Sequence, residues 1–180
     1  MVLRFLIFAA GMTAASAGSA QPLPPAWEFV PRPMTVEIER DAITDTVRAA
    51  AVAHAANGRL EIGCDADKYD GLQVAFSGRE WLIADHYLTK RRTITHRFDN
   101  YRPQRAWWRI DDRKAWLRPV THVANFIERL SRSNRLTIRT ENLEQREFEM
   151  TFSLLGNRAA IGLMLEACRA EQTRRSLARR

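Results

Sequence analysis

The fold class is decided by the stretch FEMTFSLLGN, residues Phe148–Asn157. Every second residue from Phe148 to Leu154 is apolar and the residues between them are polar, a period of two that indicates a β-strand with one buried face. Gly156 ends this strand, and Asn157 can cap a helix. Apolar residues then recur at helical spacing as far as Cys168, so the pattern predicts a strand followed by an amphipathic helix.

Further upstream, similar alternation predicts more strands, separated by polar turns. The predicted strands are Met34–Arg40, Leu60–Cys64, Leu72–Phe76, Trp81–Ile83, Thr93–Phe98, Ala106–Ile110, Ala115–Leu117 and Arg135–Arg139. A helix is predicted between Thr121 and Leu130, and the alanine-rich residues 46–56 fit either helix or strand. We therefore predict a mainly β (α+β) fold: an antiparallel sheet, arranged as a meander or sandwich, with two short helices.

Both ends of the chain are predicted to lie outside the domain. Residues 1–20 follow the pattern of a secretory signal peptide, with Arg4 before a short apolar run and small residues ending at Ala17 or Ala20. The run is about half of the roughly 20 residues that a membrane-spanning helix needs. A proline-rich lead-in at 21–33 precedes a single β-rich domain at 34–169, and residues 170–180 are predicted to form a basic, disordered tail.

Charge and hydropathy narrow the function classes. The formal net charge is +7, of which Arg4 supplies one and residues 169–180 supply four, so the domain carries +2. We predict no nucleic-acid binding from so small a charge, and export also removes that target. No window after the leader approaches 18 apolar residues, so the mature chain is predicted not to be integral to a membrane, and to be periplasmic or secreted.

Cys64 and Cys168 are the only cysteines. Exported proteins reach an oxidising compartment, and we therefore predict a disulfide between the two. It would close a loop of about 100 residues, which the chain-entropy relation values at about 4.7 kcal/mol, and would tie an early strand to the last helix. Two buried free thiols, or a Cys nucleophile, are the alternatives that the sequence leaves open.

Several motifs together suggest a family. They are Asp41-x-x-Thr44-Asp45, Leu60-Glu-Ile-Gly-Cys64, Thr93-Ile-Thr-His-Arg97-Phe98-Asp99, Trp108, Phe126-x-x-x-Leu130, Leu136-Thr-Ile-Arg139, Phe152-x-Leu154-x-Gly156 and Ala167-Cys168. As an ordered set, they resemble the type VI secretion-associated VasI/TagO-like family of periplasmic proteins, over roughly residues 41–168. The chain departs from that pattern at Gly63, where Arg is usual, and at Arg109–Asp112, where a serine-bearing strand end is common.

The resemblance implies a fold closed by a disulfide at Cys64 and Cys168 and an accessory role without an agreed reaction. It brings no catalytic residue to this chain. The implied partner is a component of the envelope or of the secretion apparatus. We therefore predict an exported, non-enzymatic periplasmic binding or accessory protein, associated with a type VI secretion system or with the cell envelope.

The segment Tyr101–Arg109 holds the candidate binding surface. Adjacent residues of a strand point to opposite faces, so one of Trp107 and Trp108 should be buried and the other exposed, although the sequence does not say which. An exposed Trp flanked by Arg102, Arg105 and Arg109 could stack on a sugar ring and pair with anionic groups of peptidoglycan or lipopolysaccharide. The alternative is an aromatic side chain that neighbouring charged stems cover.

The sequence contains no recognisable catalytic or metal-binding constellation, and we predict no cofactor. The histidines lack metal-ligand spacing, and His96 shares a strand face with apolar residues, which favours a core position. The acidic residues of the 65–71 turn lack the Gly and closing Glu of an EF-hand. Asp111-Asp112 could supply one glycosidase carboxylate, so a cell-wall hydrolase is one alternative function, and an inhibitor of wall-cleaving enzymes, similar to lysozyme inhibitors, is another.

Overall fold

A computed structural model describes residues 32–43, 45–65, 71–85, 88–117 and 120–178. The predicted signal peptide at 1–20 and most of the lead-in at 21–33 lie outside the described residues, as do Thr44 and the acidic turn at 66–70. In chain order, the elements are β1 (Thr35–Arg40), β2 (Val47–Ala55), β3 (Gly58–Asp65), β4 (Leu72–Gly78), β5 (Arg91–Phe98), β6 (Gln104–Asp111), β7 (Lys114–Leu117), α1 (Val120–Ser131), β8 (Arg135–Glu141), β9 (Glu147–Ser153) and α2 (Asn157–Ala178).

The strands of the described chain form one antiparallel sheet in the order β1-β2-β3-β4-β7-β6-β5-β8-β9. The predicted antiparallel fold with two helices is therefore confirmed. A simple meander is wrong, because β5 does not pair with β4. Strand β5 instead lies on the far side of the β6–β7 hairpin from β4, and the predicted strand Trp81–Ile83 is reduced to a single bridge between Leu82 and Asn142.

The sheet folds over on itself, so that β9 lies against β2 and β3 in a sandwich-like core. A Cβ added to Gly58 would lie 2.5 Å from Met150 Sδ and 2.9 Å from the Ser77 carbonyl oxygen. The Asn57 side-chain amide donates a hydrogen bond of 3.1 Å to the Glu149 carbonyl oxygen across the same contact. Glycine at position 58 therefore permits the two parts of the sheet to approach.

Residues 47–55, whose sequence fits either a helix or a strand, form the strand β2. Its alanines at 49, 51 and 53 are buried, and helix α2 packs over β2 with further contacts to β1 and β3. Small side chains allow this close approach, and pairing with β1 and β3 outweighs the helix propensity of alanine. Beside Ala49, Cys64 of β3 forms the predicted disulfide with Cys168 of α2, at a Cα–Cα distance of 6.2 Å.

Asn157 joins the two helices. Its side-chain oxygen accepts a hydrogen bond from the N–H of the next residue, Arg158 (2.6 Å), in the first turn of α2. Its side-chain nitrogen donates to the carbonyl oxygens of Leu130 (2.6 Å) and Ser133 (2.8 Å) at the end of α1. One buried amide thus bonds backbone groups at the end of α1 and at the start of α2.

The predicted disordered tail at 170–180 is wrong for residues 170–178, which continue α2 to Ala178. Glu171 is only 3% exposed and accepts hydrogen bonds from Arg174 and Arg175. Arg174 also donates to the Asp45 carbonyl oxygen (2.8 Å), which anchors the helix to the turn before β2. The arginines that suggested disorder are therefore the residues that hold this end of α2 in place. These two hydrogen bonds to Glu171 hold its carboxyl pKa at about 2.

Candidate functional site

The structure settles the orientation of the two tryptophans. Trp108 is fully buried, and its ring lies edge-on to those of Phe76 (5.1 Å between centroids) and Phe126 (5.8 Å). Trp107 is 50% exposed on the opposite, outer face of the sheet. Trp108 is therefore a core residue and not part of the predicted binding surface, whereas Trp107 remains available to a ligand.

Strand register surrounds Trp107 with cations. Arg105 and Arg109 flank it on β6, and Arg109 lies directly opposite Arg91 of β5 and Trp116 of β7. We call this group, Arg91, Arg105, Trp107, Arg109 and Trp116, the arginine–tryptophan face. The sequence did not identify Arg91 or Trp116, since only the register brings them beside Arg109.

The cations of the arginine–tryptophan face have no internal partner. Within the described part of the chain, the guanidinium groups of Arg91, Arg105 and Arg109 make no hydrogen bond and no ion pair, and all three residues are exposed. Like charges placed directly opposite each other on neighbouring strands are destabilising. This face therefore has the electrostatic character of a site that binds an anion from outside.

On the neighbouring part of the same outer face, the charged side chains are paired with each other. Arg59 donates hydrogen bonds to Glu37 and Glu61, and Lys114 donates to Glu61 at 2.5 Å. Burial raises the pKa of Glu61, but the hydrogen bonds and charges of Lys114 and Arg59 outweigh it and the pKa is lowered overall. Ion pairs thus join charged side chains of β1, β3 and β7 on this part of the face, in contrast to the unpaired arginines of β5 and β6.

Arg102 lies apart from this face, at a cleft between α1 and the β5–β6 hairpin. Two adjoining hollows, of about 460 and 360 Å³, share His96, Phe98, Gln104, Arg129 of α1 and Arg132 just after α1. Arg102 lines the smaller hollow and Arg105 the larger. The predicted binding segment therefore divides into an outer part around Trp107 and a cleft part around Arg102.

His96 forms part of the wall of this cleft. It is 5% exposed, as its predicted core position requires, and its ring lies 5.2 Å from that of Phe126 and 5.8 Å from that of Phe98. Burial, with a further contribution from the charge of Arg129, lowers the pKa of His96 to about 4. A hydrogen bond with the Ile94 backbone opposes this lowering of the pKa only in part, so the imidazole is neutral at pH 7.

The described residues contain no group of three or more His, Cys, Asp and Glu side chains placed to hold a metal ion. Asp111 is half-exposed at the end of β6, with its carboxylate 3.7 Å from Lys90 Nζ. Asp112 forms the following turn with a φ of 55°.

No helix of the described chain is both long and apolar enough to cross a membrane.

No family model matches the chain, and no curated protein or solved structure gives a significant match. The resemblance to the VasI/TagO-like family therefore rests on the motifs of the sequence.

Proposed function

We propose that this chain is an exported, non-enzymatic binding protein of the bacterial cell envelope, and that the arginine–tryptophan face binds peptidoglycan. The observation that carries the proposal is the direct pairing of Arg91 with Arg109, both without an internal partner, next to the half-exposed Trp107. A leader with the pattern of a signal peptide, and the disulfide between Cys64 and Cys168, support export to an oxidising compartment.

Peptidoglycan fits the chemistry of this face better than a lipid surface does. Its sugar rings can stack on the indole of Trp107, and the carboxylates of its stem peptides can accept paired N–H donors from arginine. A lipid surface would instead favour a projecting apolar patch, whereas Trp107 lies between two arginines of β6. The face is therefore suited to an anionic glycan.

Sedimentation with purified peptidoglycan sacculi tests the proposal. We expect the wild-type protein to co-sediment at low salt. Trp107→Ala, which removes the stacking surface, and the double variant Arg91→Gln/Arg109→Gln, which removes two cations, should each bind at least about tenfold more weakly. Arg158→Gln, at an exposed position of α2, is the matched control and should bind like the wild type. Equal binding by all four proteins would refute the role of this face.

The same preparation separates binding from catalysis. Steady release of soluble products by dialysed protein, lost in Asp111→Asn, would replace the proposal with a cell-wall hydrolase. Stoichiometric inhibition of lysozymes, without turnover, would replace it with an inhibitor of wall-cleaving enzymes.

We further propose, from the motif resemblance, that the protein serves a type VI secretion system. Type VI structural genes beside its own gene would support that role. A location in an unrelated operon would refute the secretion role and leave the proposal of peptidoglycan binding unchanged.

A further inference from the structure

The cleft between α1 and the β5–β6 hairpin adjoins the arginine–tryptophan face, shares Arg105 with it and is strongly cationic. Its lining residues include four arginines, Arg102, Arg105, Arg129 and Arg132, and a single acidic residue, Glu128. Glu128 forms an ion pair of 2.9 Å with Arg132, so it neutralises only one of the four. The four arginines and Glu128 together carry a formal net charge of +3.

Two of these arginines remain available to a ligand. Arg102 has neither a hydrogen bond nor an ion pair in the described part of the chain. Arg129 donates to the neutral side-chain oxygen of Gln104, which orients the guanidinium without cancelling its charge. Both groups border the smaller hollow, so they can act on the same bound group.

Aromatic side chains form part of the walls of the cleft. Phe98 and Phe126 lie edge to face with 5.0 Å between ring centroids, and both line the larger hollow. The buried, neutral imidazole of His96 packs against both rings and lines both hollows. The cleft therefore offers apolar ring surface beside its arginines.

We propose that this cleft binds a small amphipathic anion, whose carboxylate or phosphate group pairs with Arg102 and Arg129 while its apolar part packs on Phe98 and Phe126. The volumes of the hollows lie in the range typical of small-molecule sites. Apart from Arg105, this site shares no residue with the arginine–tryptophan face.

Calorimetric titration with octanoate and octyl phosphate tests the proposal. We expect one site per chain for at least one of the two, with acetate, inorganic phosphate and octanol each binding at least tenfold more weakly. A preference for octanoate identifies a carboxylate ligand, and a preference for octyl phosphate identifies a phosphate. Binding of octanol as strong as that of both anions, or no binding of either anion, would overturn the proposal.

Variants locate the site. Arg102→Gln and Arg129→Gln change exposed side chains and should fold normally, but each should weaken binding of the preferred anion about tenfold. Arg158→Gln and Trp107→Ala should bind it like the wild type. The ring proton signals of His96 should shift on titration in NMR spectra. Unchanged affinity in both cleft variants would refute the assignment even if an anion binds elsewhere.

Discussion

Removing one cation from the Arg91–Arg109 pair should stabilise the fold, although it should weaken the proposed binding. The two residues are direct cross-strand partners, which places their Cβ atoms about 4.5–5.5 Å apart, and no acidic group neutralises either. Cross-strand charge pairs are worth about 0.2–1 kcal/mol, so Arg91→Gln or Arg109→Gln should raise the free energy of unfolding by about that amount. The melting temperature should then rise by up to about 4 °C.

A double-mutant cycle by thermal or urea unfolding measures the repulsion itself. Either single substitution removes the whole repulsion, so the double variant should gain no more than the better single variant. The gain should also shrink in 1 M salt, where the Debye length is about 3 Å. Arg158→Gln, the exposed control, should change little. Additive gains that are independent of salt, or a loss of stability in both single variants, would contradict the reasoning.

Three further predictions concern the packing of the fold. Cys64→Ser should lower the free energy of unfolding by about 2–5 kcal/mol in chemical denaturation, and thiol titration of the unreduced wild type in denaturant should find no free thiol. Gly58→Ala should lower the free energy of unfolding by about 1–3 kcal/mol, because the new methyl group would lie too close to Met150 and the Ser77 carbonyl oxygen. Gly162→Ala, with open space around the added atom, should stabilise α2 slightly in the same assay. The Glu171 carboxyl has a lowered pKa in the folded protein, so its contribution to the free energy of unfolding is fully present above about pH 4.5 and is lost as the pH falls towards 2. The stability difference between the wild type and Glu171→Gln should therefore disappear over that pH interval. A difference that does not vary with pH would contradict the assignment.

Local sequence patterns were sufficient to predict those elements whose secondary structure is evident from their own residues. The alternation from Phe148 to Leu154 predicted β9, and the cap at Asn157 predicted the start of α2. The two cysteines, in a chain that begins like an exported protein, predicted the disulfide. Adjacency of Trp107 and Trp108 in a strand required that they face opposite ways, but which of them is buried depends on the side that the core occupies.

The remaining features depend on residues that are distant in the sequence. β2 is a strand because β1 and β3 pair with it on both sides, which the helix propensity of its alanines cannot reveal. Arg91 and Arg109 face each other only through register, and Arg102 meets Arg129 only because α1 packs beside the β5–β6 hairpin. The end of α2 was missed because the segment is basic and has little apolar area to bury, while the hydrogen bonds of its arginines with Glu171 and Asp45 depend on tertiary structure.

Asn157 has a mechanical consequence for the cleft. Because its amide nitrogen bonds the last carbonyls of α1 while its oxygen starts α2, the two helices cannot move independently at that joint. Swinging α1 outward would break both hydrogen bonds and leave the buried Ser133 carbonyl without this donor, at a cost of about 1–3 kcal/mol. Since the disulfide also fixes α2 to the sheet, the end of α1 is held in position and this side of the cleft is formed before a ligand binds.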